Sequence, residues 1–181
     1  MDTLNFSLMK HSVKRYVTFF VLTLALLTLH QSAVAQAFDG DDDNKIYVGY
    51  LNAGGLSGAV VGYDKGVNDW LSIGFGASYL AKDKHDVDND GVNTRLDLML
   101  TGNYHWQEIL KLPMAVDVYS GLHVGLRTAG LQAGARYNFS ETLGVFLEAR
   151  QNLLNISKSS NDRKCYYYKK FCFSVGLTFN L

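Results

Sequence analysis

The chain has 181 residues, 17 basic against 17 acidic, and is 48% hydrophobic and 13% aromatic, with 17 glycines and one proline. That length bounds it to about one domain, and the charge balance lacks the basic excess that nucleic-acid binding requires. Past residue 35 no apolar run approaches the roughly 20 residues of a membrane-crossing helix.

Lys10, Lys14 and Arg15 precede the apolar stretch "YVTFFVLTLALLTL" (16–29), and Ala33 and Ala35 follow at small-residue positions. A basic start, a short apolar core and an A-x-A-like site read as a secretory signal peptide spanning 1–35. Met9 is an alternative start. Removing the leader takes three basic residues and one acidic one, so the mature chain carries a net charge near −2. Residues 36–44 read as a short acidic leader, in which "DGDDDN" (39–44) is solvated.

From residue 45 the dominant period is two, the signature of strands with unlike faces. "NKIYVGYL" (44–51) sets Ile46, Val48 and Tyr50 on one side. "AGGLSG" turns the chain into "SGAVVGYD" (57–64), and "KGVND" turns it into "WLSIGFGASYLA" (70–81). There Leu71, Ile73, Phe75, Ala77 and Tyr79 oppose Ser72, Gly74, Gly76 and Ser78. Acidic "KDKHDVDNDGVN" leads to "TRLDLMLTGNYHW" (94–106), in which Leu96, Leu98 and Leu100 oppose Arg95, Asp97 and Thr101. After "QEILKLPM" comes "AVDVYSGLHVGLR" (115–127). "TAG" is a tight turn into "LQAGARYNF" (131–139), "SETLG" turns into "VFLEARQN" (145–152), and a polar stretch through "CYYYKK" precedes "FCFSVGLTFNL" (171–181).

These are eight strands of about ten residues, the length that crosses a membrane on a tilt. The polar faces carry small residues and charges of both signs, Arg95, Asp97, Asp117, Arg136, Glu148 and Arg150, which suits a crowded lumen better than a solvated surface. Luminal pairs of Arg95, Arg136 or Arg150 with Asp97, Asp117 or Glu148 follow, since buried charges need partners. A soluble lipocalin-type barrel would reverse the faces. With both termini at one end, Trp70, Trp106, Phe139 and Phe179 share a rim, as an aromatic girdle does. The expected fold is therefore an all-β, eight-stranded antiparallel up-and-down transmembrane β-barrel over residues 45–181.

The end of the chain, "SVGLTFNL", places Gly176, Phe179 and Leu181 in a pattern that resembles the C-terminal assembly signal of outer-membrane proteins, with leucine where phenylalanine is commonest. "GARYNFSETLGVFLEAR" (134–150) resembles a hairpin of small outer-membrane barrels of the OmpA/OmpX type, and "QAFDGDDDNKIYVGY" resembles the start of uncharacterised exported barrels of gram-negative bacteria. The resemblance implies the cell outer membrane, handling by the barrel-assembly machinery, contact with outer-membrane lipid and lipopolysaccharide, a monomer, and no cofactor. It implies no one activity, because such barrels serve as tethers, adhesins, narrow pores and enzymes.

Several constellations carry possible chemistry. Asp86, Asp88, Asp90 and Gly91 open like a calcium loop, with Asp97 at the closing position. Because Asp97 falls within a strand, the loop reads as a solvated acidic segment engaging divalent cations loosely. Ser120, His123 and Asp117 have the residue types of a hydrolase, but parity places Ser120 on the opposite face from the other two, out of hydrogen-bond reach. His105 reads as a packed or hydrogen-bonded rim residue. Tyr166, Tyr167 and Tyr168 with Lys169 and Lys170 read as an upper aromatic belt meeting lipid headgroups. Cys165 and Cys172 bridge only if Cys165 lies in a loop that folds back, since along one strand they stand too far apart. The function these residues support first is a non-enzymatic structural or surface-interaction barrel with a packed polar lumen. The alternatives are a narrow channel or small-ligand carrier of the porin type, and a lipid-modifying enzyme.

Overall fold

The computed structural model describes residues 35–81, 95–156 and 171–181. Its strands follow the alternating stretches: β1 Asn44–Ala53, β2 Leu56–Asn68, β3 Leu71–Leu80, β4 Leu96–His105, β5 Val116–Gly125, β6 Thr128–Asn138, β7 Leu143–Asn155 and β8 Phe171–Asn180. Each pairs antiparallel with the next, and β8 returns to β1, from Lys45 opposite Asn180 to Ala53 opposite Cys172. The sheet closes into an eight-stranded up-and-down barrel. Closure pairs the backbone groups that an open edge would leave bare.

Turn chemistry fixes the register. Between β1 and β2, Gly54 and Gly55 have φ of 57° and 95°, with Ala53 opposite Leu56. Two successive left-handed residues give the twist a two-residue hairpin needs, and glycine adopts it without a Cβ clash. At the β2–β3 turn, Asn68 Oδ1 accepts the amides of Trp70 and Leu71, each at 2.9 Å. In the β6–β7 turn, Ser140 Oγ accepts the Leu143 amide at 3.0 Å.

Two turns differ from the sequence reading. "KGVND" does not turn the chain as a unit; β2 runs on to Asn68, because a register shift between Gly66 and Asn68 absorbs the odd residue as an irregularity. "TAG" belongs to β6, and the turn lies one step earlier, at Leu126 and Arg127. There Asp97 Oδ1 accepts the Arg127 amide at 3.0 Å, and Thr128 donates its hydroxyl to Asp97 Oδ2 at 3.2 Å.

The pleat is inside out relative to a soluble protein. Ile73 and Phe75 are 59% exposed and Leu100 67%, while Asp64, Asp97, Asp117, His105, Arg136 and Arg150 are buried in the lumen. An apolar surface of this extent far exceeds the few hundred Å² of patch that water-soluble monomers show. Ten-residue strands about 33 Å long, tilted about 40°, span about 25 Å, the height of a barrel's lipid-facing band. The fold is that of a transmembrane barrel, and the lipocalin arrangement is excluded. Trp70, Trp106, Phe139 and Phe179 are exposed at the rim that holds both ends of the barrel domain. Trp106 Nε1 donates to Ser120 Oγ at 2.9 Å there, and Trp70 Nε1 to Glu108 at 2.8 Å.

The lumen is not polar throughout. Leu51, Ala53, Val60, Leu80, Phe146 and Cys172 form a buried apolar cluster, with Tyr47 and Leu56 packed against it. Leu51 and Ala53 share parity with Lys45 along β1, so the signal is present in the alternation. They pack in the half of the lumen away from the termini, where Arg150 lies opposite Cys172 and Asp97 opposite Ser78.

Candidate functional site

At mid-height the lumen is bridged by charge. Arg136 on β6 reaches across to Asp64 on β2, with Nη2 2.5 Å from Oδ2, and its guanidinium lies 4.6 Å from the centre of the Tyr119 ring. Tyr119 donates its hydroxyl to Glu148 at 2.9 Å, and Arg150 Nε stands 3.1 Å from the other Glu148 oxygen. Removing charges from water costs several kcal/mol per ion unless each finds a well-placed partner, and this chain of contacts supplies partners from β2, β5, β6 and β7. A void of about 10 Å³ lies at this level among Tyr47, Tyr119, Arg136, Phe146, Glu148 and Thr178, at or below what one water needs.

A second cluster sits at the mouth near the termini. His105, the last residue of β4, is flanked by strands that present Ser72 and Asp117 to its two nitrogens. Nδ1 lies 2.8 Å from Asp117 Oδ2, and Nε2 lies 2.9 Å from Ser72 Oγ. The carboxylate can only accept, so Nδ1 carries a hydrogen; in the neutral ring Nε2 then accepts from the Ser72 hydroxyl. Asn103 Nδ2 is 3.5 Å from the same Ser72 oxygen, and Gln132 donates to Asn103 Oδ1 at 2.6 Å. Ser72, His105 and Asp117 are each 2% exposed or less.

The segment before β1 closes over this cluster. Phe38 stacks on the His105 ring, centroids 3.5 Å apart and planes within 4°. The Ala37 amide donates to the Met114 carbonyl at 2.7 Å, Asn138 Nδ2 donates to the Gln36 carbonyl at 2.7 Å, and the Gly66 amide donates to the Asp43 carbonyl at 2.8 Å. The reading of this segment as solvated holds for Asp39, Asp41 and Asp42, in and beside the 3-10 turn Gly40–Asp42. It fails for Asp43, which is buried, as are Ala37 and Phe38 before it. Burial pushes the Asp43 carboxyl above the usual carboxylate range, and the neighbouring Lys45 ammonium, its ion-pair partner, opposes that rise. Outside Phe38 lies a cavity of about 410 Å³, walled by Leu112 and Met114 and rimmed by Asp39, Asp41, Asp42 and Asp69.

Of the residues singled out from sequence, Arg150 and Glu148 do pair, whereas Arg136 takes Asp64, Asp117 takes His105, and Asp97 takes Thr128 and a backbone amide. Ser120 faces outward and holds Trp106, while His123 faces the lumen with Nε2 2.9 Å from Asn152 Oδ1. The opposed parity of Ser120 and His123 is as expected. Cys172 is buried, and Asn152 Nδ2 stands 3.4 Å from its sulfur. The signal segment 1–34, Asp86, Asp88, Asp90, Cys165 and the Tyr166–Tyr168, Lys169, Lys170 group lie outside the described residues. Among the described residues no three His, Cys, Asp or Glu side chains are grouped to hold a metal ion.

A model of a family of unknown function, DUF6646, matches residues 28–181. No curated protein matches the sequence significantly. A structure from the de novo design of transmembrane β-barrels is similar over 81% of this chain and 100% of its own, with TM-score 0.55 and 14% identity. The N-terminal β-barrel domain of Pseudomonas aeruginosa OprF is similar over 79% of this chain and 100% of its own, with TM-score 0.50 and 14% identity. Likeness at such identity is likeness of fold.

Proposed function

We propose that this chain, which belongs to the DUF6646 family of unknown function, is an outer-membrane barrel with an occluded lumen, acting as a non-enzymatic structural or surface-interaction protein. The observation that carries this reading is the combination of a lipid-suited outer face with a lumen blocked at mid-height by Asp64, Arg136, Tyr119, Glu148 and Arg150. A hydrated ion has no passage through a void of about 10 Å³, so the barrel wall, its rims and its loops are what other molecules meet. The signal-like residues 1–35 and the C-terminal strand support export and assembly in an outer membrane, with the chain working as a monomer. The acidic stretch of Asp86, Asp88 and Asp90 and the Tyr/Lys group at 166–170 supply loose divalent-cation and lipid-headgroup contacts in this reading.

The test is conductance of the purified protein in planar bilayers. The occluded lumen predicts no steady single-channel steps at neutral pH, and reproducible steps of one size would overturn it in favour of a narrow channel. Cell fractionation tests the location: recovery as a soluble periplasmic protein would refute it.

A further inference from the structure

Ser72, His105 and Asp117 come from three successive strands, and their order is more specific than burial alone demands. A lattice that merely satisfies buried polar atoms works in any sequence of donors and acceptors. Here the imidazole stands between a carboxylate on Nδ1 and a serine hydroxyl on Nε2, at 2.8 Å and 2.9 Å. In that arrangement a serine can pass its proton to the ring as its oxygen attacks, with the carboxylate steadying the imidazolium. Asn103 adds an amide N–H beside Ser72 Oγ, oriented by Gln132 at its other end, where a developing oxyanion would need a donor. The Phe38 ring covers the imidazole.

We propose that Ser72 is a masked nucleophile: the segment Gln36–Asp43 lies as a lid over an acyl-transfer relay of Ser72, His105 and Asp117 that acts on carboxylic esters when the lid lifts. This goes beyond the occluded-barrel reading and departs from its non-enzymatic role, which describes only the covered state. Outside Phe38 the mouth is lined by His105 and by residues of the segment after β4, Glu108, Lys111, Leu112 and Met114 among them, and an ester approaches there once the lid has lifted. Leu112 and Met114 offer an apolar wall to its acyl chain. Ser72 Oγ bonds to the carbonyl carbon while its proton moves to His105 Nε2. The bond from that carbon to the alcohol oxygen then breaks, and the alcohol leaves with the proton from Nε2. Water repeats the two transfers, releasing the acid and restoring Ser72.

A fluorophosphonate probe reads this directly, because Oγ bonds to phosphorus, fluoride leaves, and His105 takes the proton. The protein is folded in vesicles, with heat-modifiable migration confirming the barrel in each variant, and adducts are located by mass spectrometry. Two variants lift the lid by different routes: Phe38→Ala removes the stacked ring, and Gly66→Ala forces a Cβ to within 1.6 Å of the Gly40 carbonyl oxygen. Both are expected to label at Ser72 about tenfold or more faster than wild type, in proportion to the uncovered fraction. Ser72→Ala abolishes the adduct, and Asp117→Asn in the Phe38→Ala background slows it about 100-fold or more by unsettling the imidazole tautomer. No adduct on Ser72 in either lid variant, or a rate indifferent to Asp117→Asn, overturns the proposal; a purely structural lattice gives that result.

Discussion

Arg136 is the residue on which the middle of the lumen turns. Arg136→Ala leaves the Asp64 carboxylate buried without its cation and is expected to destabilise the barrel by about 3–5 kcal/mol. Arg136→Met combined with Asp64→Leu removes both charges at similar volume and is expected to cost far less, as replaced buried pairs commonly do. Equilibrium urea unfolding in vesicles measures both, and equal losses would show that packing, not the unpaired charge, sets the cost. The same residue marks how far sequence reaches. Alternation places Arg136, Glu148 and Arg150 on the inner face, and Arg150 with Glu148 is one of the pairings it leaves open. Asp64 as the partner of Arg136 is not among them, because contact across a lumen depends on strand tilt and stagger, which no single strand encodes. The meeting of Ser72, His105 and Asp117 escapes for the same reason: each shows the right face, but the rim height at which they converge comes from the two registers that join three strands.

At the scale of elements, the strands were readable and the segment before them was not. A period of two marks a strand wherever one face meets lipid and the other a lumen. The segment 36–43 has no period, and its acidic composition suggested water. What docks it is the shape of the barrel mouth and a few specific contacts: the Phe38 ring on His105, the Ala37 amide on the Met114 carbonyl, and the Gly66 amide on the Asp43 carbonyl. Gly66 is the point of closest approach, since any Cβ there collides with the Gly40 carbonyl oxygen. Gly66→Ala is therefore expected to release the segment while leaving the ladders intact. Hydrogen exchange followed by NMR in nanodiscs reads it: the Ala37 amide should exchange about tenfold faster or more, as locally opened units do, while Val48 in β1 keeps its protection. Unchanged protection at Ala37 would mean that the segment is held by contacts other than these.

For the molecule as a whole, the decisive quantity is what surrounds it. An exposed side chain in water tolerates a charge with an effect usually within about 0.5 kcal/mol. The same position facing hydrocarbon pays about 2–4 kcal/mol for arginine at the bilayer midplane and about 0–1 near the interfaces. Leu100 lies at the centre of β4 and is 67% exposed, whereas Leu71 lies at the start of β3 beside the aromatic rim and is 43% exposed. Leu100→Arg is thus expected to cost about 2–4 kcal/mol in vesicles and Leu71→Arg about 1 kcal/mol or less, by equilibrium unfolding. Area exposed to water cannot produce that gradient, because in water both substitutions replace a solvated leucine by a solvated arginine. Depth in a bilayer can, because arginine near the rim extends to the headgroups and arginine at mid-strand has to thin the membrane to reach them. Equal, near-zero effects at the two sites would require a different occupant for the apolar face, and with it a different account of why the charges of this barrel are on the inside.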